Sequence, residues 1–181
     1  MDETTPVQSA ESNKKWLYIV IGVVVVLLLG GMFFGVGGRG TGPGSAYFAP
    51  EGVDVDRNMD GSTTYSSEEG SVTVGQGASM PTNWPSDAPT AYTGAQIMYS
   101  GSTNPQTGEA GSAVVYQTSA SAASVVEYYT ARLKAEGWTI EASAEMAGTR
   151  VISAKKDSRT IGVYIQDAGN GTTNVTAGVQ L

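Results

Sequence analysis

Ser119–Glu136 reads SASAASVVEYYTARLKAE. Ala122, Val125, Val126, Tyr129 and Leu133 recur at three- and four-residue spacing, which gathers them into one apolar stripe on a helix. Ser119 or Ser121 can cap its start, Arg132 and Lys134 suit the negative end of its dipole, and Gly137 supplies a left-handed stop. This is the one stretch outside the N-terminal region whose period is helical.

Its neighbours on both sides read as strands. Upstream, Ala95–Tyr99 and Ala113–Thr118 are β-rich runs joined by a turn-rich loop that contains Asn104-Pro105 and Thr107-Gly108. Downstream come Trp138–Ala142, Arg150–Ala154, Thr160–Gln166 and Thr172–Val179, separated by Lys155-Lys156-Asp157-Ser158-Arg159 and Asp167-Ala168-Gly169-Asn170-Gly171. Ile161, Val163 and Ile165 alternate with Gly162 and Tyr164, the period of a sheet with one buried face. The predicted order is β-β-α-β-β-β-β. The expected fold class is therefore α+β, a small antiparallel sheet with one packed helix.

Before these strands, residues 79–94 carry Pro81, Pro85 and Pro89, which favour an extended lead-in, and Trp84, which is expected to pack onto the domain C-terminal to it. A domain is accordingly placed at residues 80–181. Residues 37–79 read as a Gly/Pro-rich and then acidic linker, with a small hairpin predicted within 53–74 from the alternation in Val53-Asp54-Val55 and Ser71-Val72-Thr73-Val74. Tyr47 and Phe48 interrupt the tether; packing on the domain or no role at all is favoured over resting on the membrane interface.

Trp16–Val36, WLYIVIGVVVVLLLGGMFFGV, is a 21-residue run without a charge, Asn, Gln or Pro. As a helix it covers roughly 30 Å, the thickness of a bilayer's hydrocarbon core. It predicts one transmembrane helix. Lys14 and Lys15 precede it and Arg39 alone follows, so the N-terminus is expected inside and the C-terminal domain outside. The run is longer than a signal-peptide h-region, and a pilin would need an acidic residue near its start. Residues 1–15 are polar and read as a disordered cytoplasmic tail.

Composition narrows the chemistry. The chain of 181 residues has neither Cys nor His, so it lacks disulfides, lipid-modified cysteine, Ser-His-Asp or Cys-His catalysis and the usual zinc ligands. Its net charge of −7 collects in the linker at Glu51, Asp54, Asp56, Asp60, Glu68 and Glu69, and no basic surface suited to nucleic acid is evident. Within the linker, Asp56, Asn58 and Asp60 followed by Gly61 are similar to the first half of a calcium loop. The bidentate Glu is misplaced, since Ser67 holds the expected position and Glu68 comes one place late, and the same residues also suit a plain β-turn.

Thr118, Val125, Tyr128-Tyr129, Leu133 and Gly137-Trp138, after the lead-in Trp84-Pro85-Ser86-Asp87-Ala88-Pro89, resemble a loose family of small bacterial envelope domains with a helix-grip-like layout. The shared pattern is Thr, then Val-x-x-Tyr-Tyr-x-x-x-Leu-x-x-x-Gly-Trp, followed by a strand meander. The resemblance implies a fold and a compartment and brings no catalytic residue.

Tyr128, Tyr129, Trp138 and Tyr164 are the candidates for an aromatic ligand groove, or they are core. Lys155, Lys156 and Arg159 form a basic tip that can meet an anion. Glu127, Glu136, Glu141 and Glu145 are the available carboxylates, and nothing pairs two of them across a cleft. The expectation is a non-catalytic, single-pass, membrane-anchored extracytoplasmic binding or scaffolding module without a cofactor, whose partner is an envelope protein or polymer. The alternatives are a Ca²⁺-binding envelope sensor or structural subunit and, more remotely, a carboxylate hydrolase.

Overall fold

The computed structural model describes residues 53–68, 70–103, 110–146 and 148–181. All of them belong to one unit, Phe48–Leu181. The tail 1–15, the apolar run Trp16–Val36 and the tether 37–52 lie outside the described residues, and among those described no helix is long and apolar enough to cross a membrane.

Nine strands and one helix succeed one another in chain order: β1 Asp54–Arg57, β2 Thr63–Ser67, β3 Gly70–Val74, β4 Gln96–Thr103, β5 Gly111–Thr118, α1 Ala122–Ala135, β6 Thr139–Met146, β7 Thr149–Lys156, β8 Arg159–Asp167 and β9 Thr173–Gln180. They form a single antiparallel sheet in the order β1-β2-β3-β4-β5-β9-β8-β7-β6. This corrects the expected fold of a linker followed by a small six-stranded sheet with one packed helix. The predicted linker hairpin supplies three strands of the main sheet, joined through β3 and β4 in a register that sets Val74 opposite Tyr99 and Gly70 opposite Thr103. Physically, β4 without β3 would leave eight residues of unpaired backbone along an edge.

α1 closes on one face of the sheet's C-terminal half. Ser121 is the N-cap, its Oγ accepting from the Ser124 N–H. At the other end Gly137 has φ +81°, its N–H donates to the Lys134 carbonyl, and the Trp138 N–H donates to the Leu133 carbonyl. That pair of bonds is a Schellman stop, and it brings Trp138 onto Leu133's side of the core. The Leu-x-x-x-Gly-Trp spacing is thus a helix terminator. Val125, Tyr129 and Leu133 are fully buried against Ile152, Ala154, Ile161, Val163, Ile165, Val175, Ala177 and Val179. Each such side chain contributes about 1.5–3 kcal/mol by leaving water.

β5 and β6 run parallel, so α1 carries the chain over β9, β8 and β7 to the far edge. The two edges resist further pairing in different ways. β1 is short and charged (Asp54, Asp56, Arg57), and β6 is kinked by a bulge between Ile140 and Ala142 beside Glu141.

The helix-facing side changes character along the sheet. Its C-terminal half is aliphatic, whereas β2, β3 and β4 present hydroxyls there, with Thr64 bonded to Thr73 and Ser71 to Ser102. The opposite side has a cross-strand row of small residues, Gly101, Ala113, Gly178, Gly162, Ser153 and Ala142, on six consecutive strands.

Candidate functional site

The four aromatic groove candidates do not converge. Tyr129 is wholly buried, and its hydroxyl accepts from that of Tyr116 at 3.1 Å. Burial pushes both phenols up, Tyr116 to about 12 even though Tyr129 and the Tyr92 backbone N–H hydrogen-bond to it. Trp138 is also core, with its indole N–H donating to the Asp87 carbonyl. Tyr164 sits between buried Val163 and Ile165 in β8, so its side chain leaves the opposite face of the sheet. Only Tyr128 reaches the surface beside the helix. Its ring lies edge-on to Tyr92 at 5.2 Å and to Tyr129 at 5.3 Å.

Around Tyr128 is an open cleft of ≈ 400 Å³ lined by Tyr92, Thr93, Ser124, Glu127, Tyr128 and Ala131. Ser124, Glu127, Tyr128 and Ala131 share one helical stripe by their three- and four-residue spacing, and this stripe adjoins the buried one. Tyr92 and Thr93 come from the lead-in, which turns at Gly94 (φ +76°) and is closed by the Ala95 N–H donating to the Tyr92 carbonyl. The Tyr128 hydroxyl reaches the Thr90 carbonyl at 3.4 Å, so the two walls are stitched together. Tyr92 carried no signal in the sequence, because an aromatic in a proline-rich loop has no period to place it.

The basic tip meets an anion, and that anion belongs to the chain. Asp87 receives both terminal nitrogens of Arg159 at 2.7 Å and the Lys156 ammonium at 2.7 Å. Arg159 first and Lys156 second hold its carboxyl well below the usual aspartate range. Lys156 also donates to the Glu136 carbonyl at the end of α1, and the Arg159 guanidinium lies 5.2 Å from the Trp138 ring centroid. Lys155 stays exposed. Asp87 therefore locks the lead-in to the helix terminus and to the β7–β8 turn, with Ala88 and Pro89 buried just beyond it.

Residues 97–174 are similar to the START domain-like family. Nothing among curated proteins or solved structures matches the chain. The START domain-like stretch runs from β4 through α1 to the start of β9 and covers less than half of the chain. It includes Ser124, Glu127, Tyr128 and Ala131 of the cleft and leaves out β1–β3, Asp87, Tyr92 and Thr93. It bears on the fold and carries nothing about an envelope.

Asp56, Asn58 and Asp60 lie on β1 and on the turn after it, outside the START domain-like stretch. Asp60 Oδ1 accepts from the Ser62 N–H at 2.9 Å and the Ser62 hydroxyl at 2.7 Å, which lowers its carboxyl from the ordinary value. The Asn58 amide donates to the Ser62 and Thr64 hydroxyls, and Gly61 takes φ +87°. These bonds close a hairpin turn with the polar atoms of Asn58 and Asp60, and among the described residues no group of three or more Asp, Glu, His or Cys is placed to hold a metal. The glutamates are dispersed. Glu127 lines the cleft, Glu136 caps α1, Glu141 stands at the β6 bulge and Glu145 pairs with Arg150 at 3.2 Å.

Proposed function

We propose that this chain is a non-catalytic, single-pass, membrane-anchored binding module of the cell envelope, with Trp16–Val36 as its anchor and the Tyr92–Tyr128 cleft as its ligand site. The observation that carries the reading is the cleft, where two edge-to-face tyrosines, two hydroxyl residues and a carboxylate meet at the surface. Its volume is at the lower end of the roughly 300–1,000 Å³ typical of ligand sites, which suits a small group displayed by an envelope protein or polymer. The apolar run and the two lysines before it favour an N-terminus inside and the domain outside.

Complementation of a deletion strain tests this reading. Full-length chain should restore the phenotype, and so should Glu136→Gln, Glu141→Gln and Glu145→Gln. The double variant Tyr92→Ala with Tyr128→Ala should fail although it folds and reaches the membrane. Full rescue by that double variant refutes the cleft, and loss of rescue in one well-folded Glu136, Glu141 or Glu145 variant restores the enzyme reading. External protease on intact cells should release the domain, and its protection would reverse the topology.

A further inference from the structure

Glu127 carries neither an ion pair nor a hydrogen bond among the described residues, whereas several other acids are tied down. Asp87 is held by Arg159 and Lys156, Glu145 by Arg150, Asp60 by Ser62, and Asp167 accepts from the Gly169 N–H. Among the described residues no base or donor reaches the Glu127 carboxylate. The sequence explains why: its helical neighbours three and four residues away are Ala123, Ser124, Thr130 and Ala131, and the bases of α1 wait until Arg132 and Lys134. An unpaired carboxylate on a solvated helix face is ordinary. Here it opens onto a cleft whose other walls are the Tyr92 and Tyr128 rings.

Those components select by charge. Tyrosine ring faces attract cations, and the carboxylate adds a full opposite charge. An anion is repelled by both features. A neutral sugar can donate hydroxyls to Glu127 but brings no opposite charge to it. Ala131 leaves room on the helical wall, and the Thr93 and Ser124 hydroxyls supply acceptor oxygens. We propose that the cleft binds an alkylammonium group, its positive centre set against the Glu127 carboxylate and the Tyr92 and Tyr128 rings, with Thr93 and Ser124 accepting N–H bonds when the amine is primary. The proposal rests on the cleft being the ligand site and adds the chemical class of the ligand.

The test is amide NMR of the full-length chain in a maltoside detergent, whose headgroup carries no ammonium, titrated with tetramethylammonium and with methylammonium. Sodium chloride at matched ionic strength and neutral tert-butanol are the controls. Saturable shifts confined to Tyr92, Thr93, Ser124 and Tyr128 and their neighbours are expected for both cations and for neither control. Glu127→Gln should weaken binding at least about fivefold, the scale of one partly exposed charge contact, and Glu136→Gln should leave it unchanged. Tyr128→Leu should cost tetramethylammonium more than methylammonium, because only the latter keeps N–H donors. Equal shifts from tert-butanol, or wild-type affinity in Glu127→Gln, overturn the ligand class. If the cations fail to bind while the Tyr92/Tyr128 double variant still loses complementation, the ligand class falls and the cleft stands. If they bind and that variant complements, the cleft takes ammonium and the functional reading falls.

Discussion

Replacing Asp87 with Asn should loosen the domain by removing one charge from a three-part lock. The carboxylate accepts two parallel bonds from Arg159 and one from Lys156, all at 2.7 Å. Removing one partner of a fully buried ion pair costs about 3–5 kcal/mol, whereas an exposed pair is worth less than about 1 kcal/mol. Here the Asp87, Lys156 and Arg159 side chains are 26%, 27% and 23% exposed, which places the lock between those limits. About 2 kcal/mol is expected, since Asn keeps the volume and one acceptor but leaves two cations facing a neutral amide. For a domain of this size that lowers Tm by about 6–10 °C. The sign of the pH dependence comes from a folded-state pKa held below the ordinary 3.8. The contribution is complete above that ordinary value and is lost as pH falls through the depressed one. Wild-type Tm should therefore drop from pH 5 toward pH 2 by more than that of Asp87→Asn, and the two curves should approach each other at the acid end. Thermal unfolding of the full-length chain monitored by near-ultraviolet circular dichroism reads both effects. Equal Tm at pH 7, or parallel curves below pH 4, would show that the lock contributes no stability.

The sheet, the core and the turns each give a further expected outcome. A fragment beginning at residue 53 should be monomeric by size-exclusion chromatography, whereas one beginning at residue 80 bares the β4 edge and should aggregate. Trp138→Ala should cost about 3–5 kcal/mol in chemical denaturation, and less than additively with Asp87→Asn because both remove contacts to Arg159. Asp60→Ala should speed hydrogen exchange at the Ser62 amide; a Ca²⁺-dependent rise in wild-type Tm that this variant abolishes would instead give the turn a metal. Exchanging residues 37–52 for a flexible segment of equal length should preserve complementation, since a flexible replacement of 16 residues reaches roughly 20–25 Å, and sharp shortening should impair it.

The helix, both its caps and the alternation of the strands after it could be read from the sequence because each rests on local chemistry. Val125, Tyr129 and Leu133 keep the helical period, and Gly137-Trp138 ends the helix through bonds to Lys134 and Leu133 just before it. The β1–β3 strands were harder. Their helix-facing positions are Thr64, Ser66, Ser71 and Thr73, so alternation of hydrophobicity is weak where hydroxyls bond to one another across strands. The position of Tyr164 is legible: the alternation that buries Ile161, Val163 and Ile165 sends Tyr164 to the other face, away from Tyr128 and Tyr129. Asp87 could not be paired by inspection, since its partners lie 69 and 72 residues away and nothing local in Pro85-Ser86-Asp87 distinguishes a lock from a solvated turn.

The lock and the cleft are parts of one device. Residues 83–95 would otherwise be a proline-rich loop with little reason to hold one position, yet Asn83 is bonded by Ser112, Asp87 by Arg159 and Lys156, and the Asp87 carbonyl by Trp138. Further along, the Thr90 carbonyl takes the Tyr128 hydroxyl, and the Tyr92 backbone bonds to buried Tyr116. The ties reach β5, β7, β8 and both the flank and the terminus of α1, so the Tyr92 wall of the cleft is fixed against α1 by the sheet, the helix terminus and the helix flank together. Pro85 and Pro89 lower the entropy that fixing this loop would otherwise cost. Asp87→Asn therefore has a second expected readout beyond stability. At pH 7 and well below its Tm, the variant should bind alkylammonium more weakly than wild type although no cleft residue has changed, with amide exchange raised across residues 88–95. Unchanged affinity together with unchanged exchange would mean that the lock stabilises the fold without positioning the site.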